Sequence, residues 1–149
     1  MAFDSDDLNS CLRGELAAIE TYRQALDKAR AEYGGDPKFQ HLTQMLRDHE
    51  QAATEVQSLV RQCGGTPTTD SGAWGAWSKT VMGAARLFGD RAALKALKEG
   101  EESGIKQYEG VEDDSEAPPN VRSTATTLIQ RGREHVAQLD RMMDLVEAT

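Results

Sequence analysis

Aromatic side chains are scarce in this chain, 5% of its 149 residues, and runs of β-branched residues are few. A sheet-built core is therefore disfavoured. No cluster of lysine and arginine offsets the net charge of −8, so phosphate backbones and anionic lipid headgroups would be repelled. Nucleic acid is excluded as an expected partner. There is no basic start leading into an apolar run, and no apolar stretch near the roughly 18 residues that a membrane span needs. The expectation is a soluble, cytoplasmic protein with no membrane partner. The two cysteines, Cys11 and Cys63, lack CxxC spacing and read as reduced packing residues. What the chain does have is much Ala, Leu, Glu, Gln and Arg, with 28% charged residues, the balance of a helical protein. Its length suits one all-α domain spanning residues 1–149.

Four long amphipathic helices are expected. In the first, from about Asp6 to Tyr33, Leu8, Leu12, Ile19, Leu26 and Ala29 recur by threes and fours, and Gly34-Gly35 ends it. Asp36-Pro37 is a helix-start signal for the second, with the stripe Phe39, Leu42, Leu46, His49, Ala53, Val56, Val60 and Cys63 before Gly64-Gly65. The third starts at Asp90 with Leu94, Leu97, Glu101, Ile105 and Tyr108, and ends before the acidic loop EDDSEAPPN. The fourth fills the remainder along Val121, Ala125, Leu128, Gly132, His135, Leu139, Met142 and Val146. Hairpin one thus covers 4–64, a crossover 65–89, and hairpin two 90–148.

Each helix carries an ionisable residue on its apolar stripe: Glu15, His49, Glu101 and His135. The spacing repeats. Glu15 to His49 is 34 residues, as is Glu101 to His135, while Tyr22 to His49 and Tyr108 to His135 are both 27. QMLRDH, ending at His49, matches QRGREH, ending at His135. A duplicated hairpin packs best about a pseudo-twofold axis, which gathers the two Glu and two His in one layer. Burying an isolated carboxylate costs several kcal/mol, so these four must satisfy one another. Either they ligate a metal, or each Glu hydrogen-bonds the His of its own hairpin.

These residues resemble the ferritin-like superfamily, in particular rubrerythrin-type bundles, whose first and third helices carry ExxxxxxY and whose second and fourth carry ExxH. Glu15/Tyr22 and Glu101/Tyr108 match the first pattern, and His49 and His135 match the histidines of the second. The chain is more closely similar to a bacterial family of unknown function with a degenerate rubrerythrin-like domain, over nearly its full length. The resemblance implies a ferritin-like four-helix bundle with a long crossover. It also implies bridging glutamates three residues before each histidine, where this chain has Leu46 and Gly132. A di-iron ferroxidase or peroxidase centre would lack both. Asp48, Glu134 and Glu102 stand one residue from the stripe, about 100° around their helices, and are expected at the rim beside Arg47 and Arg133.

What remains is a mononuclear set of Glu15, His49, Glu101 and His135, suited to zinc, iron or manganese, with Tyr22 and Tyr108 around it. The metal-free alternative is a satisfied polar remnant, in which the tyrosines are core aromatics with partnered hydroxyls. His41 has no counterpart in the repeat and reads as a solvated helix-end residue. Cys11 and Cys63 fall at one end of the bundle, so oxidation could link them. In the crossover, Trp74, Trp77, Val81 and Phe88 recur at near-helical spacing, and Lys79 and Arg86 give little charge for a membrane surface. That short helix either lids its own bundle or forms a dimer patch. A homodimer is the expectation, because rubrerythrin-like bundles commonly associate. The functional expectation is a non-catalytic or cryptic metal-binding protein, with stress or metal handling as the role the resemblance suggests and no catalytic residue assigned. An iron-dependent oxidoreductase and a metal-free structural or assembly module are the alternatives.

Overall fold

The computed structural model describes residues 3–34 and 39–146. Helix α1 (Ser5–Tyr33) opens on Asp4, whose carboxylate accepts the Asp6 amide at 2.9 Å and satisfies one of the unpaired donors of the first turn. The expected restart at Asp36-Pro37 lies outside the described residues, as do 147 and 148 of the expected second hairpin. Helix α2 (Gln40–Gln62) closes in a Schellman motif: Gly64, at φ 83°, lets the Gly65 amide return to the Val60 carbonyl at 2.9 Å. A 3-10 turn at Gly72–Gly75 and helix α3 (Ala76–Phe88) form the crossover. Helix α4 (Asp90–Glu112) and helix α5 (Pro119–Leu145, with proline in its first turn) complete the chain.

Helix α1 pairs with α2 and α4 pairs with α5, while α3 lies against α1 and α4. The fold is an all-α, ferritin-like four-helix bundle with a crossover helix. Its apolar interior has two parts. At one end Leu8, Leu12, Val56, Val60, Val121 and Ile129 pack together, and at the other Leu26, Leu42, Met45, Leu97, Leu139 and Met142 do. The four ionisable stripe residues, all buried, fall between them in chain position on every helix. Cys11 belongs to the first part and Cys63 packs against it, both as free thiols.

The crossover is tied down along its length. Buried Asn9 on α1 donates to the Thr66 carbonyl at 3.0 Å and accepts the Thr68 amide at 2.9 Å, which fixes the approach to α3. The tryptophans then turn inward. Trp77 donates its indole N–H to the Ala96 carbonyl at 3.1 Å and sets its ring edge-on to Tyr22, centroids 6.2 Å apart. A Cβ at Gly100 would stand 2.0 Å from the Trp77 ring, so only glycine admits this approach. Trp74 packs edge-on to Trp77 and touches the Gly14 position, and Val81 is buried. The crossover is therefore a lid on its own bundle, with Trp74 and Trp77 packed on α1 and α4 and each left half-buried. Of the four apolar residues, only Phe88 is left outside, 68% exposed beside Leu87 at 70%. Among the described residues, no helix is long and apolar enough to cross a membrane.

Candidate metal centre

Glu101 of α4 is the hub of the buried layer. Its Oε1 lies 2.6 Å from His49 Nε2 and 3.2 Å from His135 Nδ1, and accepts the Tyr22 hydroxyl at 2.7 Å. Glu15 of α1 takes the other side of His49, with Oε2 2.6 Å from Nδ1, and its Oε1 accepts the Tyr108 hydroxyl at 2.8 Å. The far nitrogen of His135, Nε2, lies 2.8 Å from Asp48 Oδ2. All four nitrogens of the two rings thus face carboxylate oxygens. Ionised carboxylates only accept, so in this state both rings donate twice, as imidazolium cations.

The electrostatics follow. Burial acts to lower the His49 pKa, but the charges of Glu101 and Glu15 outweigh it and hold the ring well above its ordinary 6.5. His135 is raised for the same reason: its hydrogen bond to Glu101 overcomes burial and the repulsion of His49, with help from Asp48. Burial acts to raise Glu101, and the two histidines reverse it, leaving the carboxyl well below the usual range. Tyr22 and Tyr108 are pushed well above the ordinary phenol value, first by burial and then by Glu101 and Glu15 respectively. They remain neutral donors. Burial, with Glu15 and Asp7 nearby, also holds the Cys11 thiol protonated.

One ligand atom each from His49, Glu101 and His135 lies within 4.8 Å of the others, a two-histidine, one-carboxylate group. The donor set fits a divalent ion. The inner nitrogens converge on one Glu101 oxygen, while the outer nitrogens are each held by a carboxylate, Glu15 or Asp48, the arrangement that orients metal-binding imidazoles. An ion would replace the two inner ring protons and leave the outer hydrogen bonds in place. The residues present can coordinate one divalent metal.

All four expected layer residues are brought together, with both tyrosines in contact. Glu15, however, holds the outer nitrogen of His49, outside the three-residue group. Asp48 corrects the rim assignment. The 100° step from His49 turns it toward α5, where it is half-buried on His135 and accepts the Gln44 amide at 3.0 Å. Its adjacency to a stripe histidine was the available signal. The repeat-equivalent Glu134 is exposed, as are Glu102, Arg47, Arg133 and His41. Where bridging acids would stand, Leu46 packs into the apolar interior, and a Cβ at Gly132 would meet Ile105 Cγ1 at 2.8 Å.

Residues 5–114, covering α1 to α4, match the domain of unknown function DUF2383. The chain belongs to this family. The match stops before α5, which supplies His135. The bundle is similar to a crystal structure of ferritin-like, diiron-carboxylate proteins from Bacillus anthracis str. Ames. The TM-score is 0.69 at 22% identity, over 93% of this chain and 94% of that one, and the likeness is one of fold. No curated protein matches the chain. Among the described residues the group that could hold an ion is one carboxylate, Glu101, with two histidines, and it lacks the second bridging glutamate of the kind an active di-iron oxidoreductase uses.

Proposed function

We propose that the chain is a non-catalytic metal-binding protein, a single domain over 1–149, that holds one zinc, iron or manganese ion through His49, Glu101 and His135. Glu15 and Asp48 orient the two imidazoles, and Tyr22 and Tyr108 hold the carboxylates. The observation that carries this reading is the division of each ring between an inner nitrogen on Glu101 and an outer nitrogen on a separate carboxylate. The role fits metal handling or stress response in the cytoplasm. Elemental analysis of protein purified without chelator tests it: one ion per chain is expected, lost in His135→Ala. Two irons per chain, or none after loading, would contradict it.

A metal-free polar network is the second reading, favoured by the completeness of the hydrogen bonding around both rings. The same assay separates the two.

For assembly we propose a homodimer through the end of the bundle where Leu87, Phe88 and Leu145 are exposed. Exposed apolar side chains of this size favour association. Light scattering should report a dimer that Leu87→Ser with Phe88→Ser dissociates; a wild-type monomer rejects it.

A further inference from the structure

Beside the triad lies a cavity of about 40 Å³, lined by Glu15, His49, Glu101, Gly132 and His135. At roughly 10–15 Å³ per water-sized occupant, it admits only a few heavy atoms. The same cavity is lined by Arg131, one residue before Gly132 on α5. Its Nη1 is buried and makes no hydrogen bond. Among the described residues no carboxylate pairs with this guanidinium, although three that line the same cavity, Glu15, Asp48 and Glu101, are held on His49 and His135. The Arg131 side chain is half-buried, and an enclosed donor on it without an acceptor is unfavourable, so Nη1 calls for a water or an ion as its partner. A carboxylate is also what the chain lacks here, because Gly132 occupies the place of a bridging acid.

We propose that this cavity binds one small planar oxyanion of the carboxylate class, such as formate or bicarbonate, with Arg131 Nη1 as its donor. A guanidinium is matched to a carboxylate in geometry as well as charge. The two-histidine, one-carboxylate set leaves ligand positions open, so the anion also serves as an external ligand to a bound ion. This second part rests on the metal-binding reading above. It fits the glycine at 132: the chain supplies a cation and a space, and the solution supplies the carboxylate.

Calorimetric titration of the metal-free chain with sodium formate, at constant ionic strength, tests the first part. One site per chain is expected, weakened at least tenfold in Arg131→Gln, partly restored in Arg131→Lys, and unchanged in Arg133→Gln, whose exposed side chain lies outside the cavity. No saturable binding, or equal affinity in wild type and Arg131→Gln with native circular dichroism, overturns it. Loading with cobalt(II) tests the second part through the visible spectrum of the bound ion. Formate should shift that spectrum in wild type and not in Arg131→Gln at the same concentration. A cobalt spectrum that formate leaves unmoved overturns the external-ligand role while the metal site stands. Failure of cobalt to bind sinks the metal reading itself, and the calorimetry still decides the anion site.

Discussion

His49 Nε2 lies 2.6 Å from Glu101 Oε1, a contact between hairpins that the internal repeat does not duplicate. The equivalent nitrogen of His135 meets Asp48 instead of Glu15. The other contacts do obey the repeat: each glutamate takes the Nδ1 of the histidine 34 residues on, and each tyrosine crosses to the glutamate of the opposite hairpin. Breaking the symmetry at one nitrogen is what concentrates three donors on Glu101. On the proposed metal-binding reading, it makes Glu101 the metal-facing acid and Glu15 the supporting one.

The two histidines should therefore differ in their structural weight. His49→Ala leaves both Glu101 and Glu15 short of a partner and should cost roughly 3 to 5 kcal/mol in the metal-free protein, the usual penalty for breaking a buried pair. His135→Ala retains His49 and Tyr22 on Glu101 and releases half-exposed Asp48, so about 1 to 3 kcal/mol is expected. Urea unfolding in chelator measures both. Equal losses would mean that the symmetry is intact in solution.

Without metal, stability should depend on pH with a definite sign. The two histidines have raised values in the fold, so their contribution is complete below about pH 6.5 and is lost as pH climbs through those raised values. Glu101 is lowered, so its contribution is present above about pH 4.5 and is lost as pH falls toward its folded value. The urea midpoint in chelator should peak between these limits and decline from pH 6.5 to 9. A rise over that alkaline interval would contradict the doubly donating rings.

Much of this was legible in the sequence, for a physical reason. Stripes spaced by threes and fours locate the buried face of each helix, and the 34-residue offset fixes Glu15 on His49 and Glu101 on His135, because antiparallel pairing holds the register within a hairpin. Contacts between hairpins were less legible. Nothing in the spacing decides that Tyr22 reaches Glu101 or that Asp48 turns toward α5, since these depend on how α1 is rotated against α4 and α2 against α5. The packing of Trp77 on its own bundle is not legible either, because the sequence does not reveal that Gly100 opens a slot for its ring.

That slot can be tested directly. Gly100→Ala would place a methyl group 2.0 Å from a ring that is also fixed on Tyr22 and Ala96, and overpacking of this kind typically costs about 1 to 3 kcal/mol. Tryptophan emission should shift to the red as the lid loosens. Gly110→Ala, also in α4 but with open space at its Cβ, should be stabilising by roughly 0.5 to 1 kcal/mol. If both changes behave alike, the lid contact is not made in solution.

Restoring a di-iron site should take three changes. Leu46→Glu with Gly132→Glu returns the bridging acids, yet the new side chain at 132 starts against Ile105, and Ile105→Ala clears it. Iron per chain after anaerobic ferrous loading should rise toward two in the triple variant and remain lower in the double. Equal loading in both would show that Ile105 moves aside freely.

The central claim is that one divalent ion replaces the inner protons of His49 and His135 on Glu101. Zinc titration by calorimetry near pH 6, in two buffers of different ionisation heat, measures stoichiometry and proton release together. The account predicts one zinc per chain with release of about two protons, and loss of both signals in His135→Ala. Zinc that binds without proton release, or equally well in His135→Ala, would contradict it.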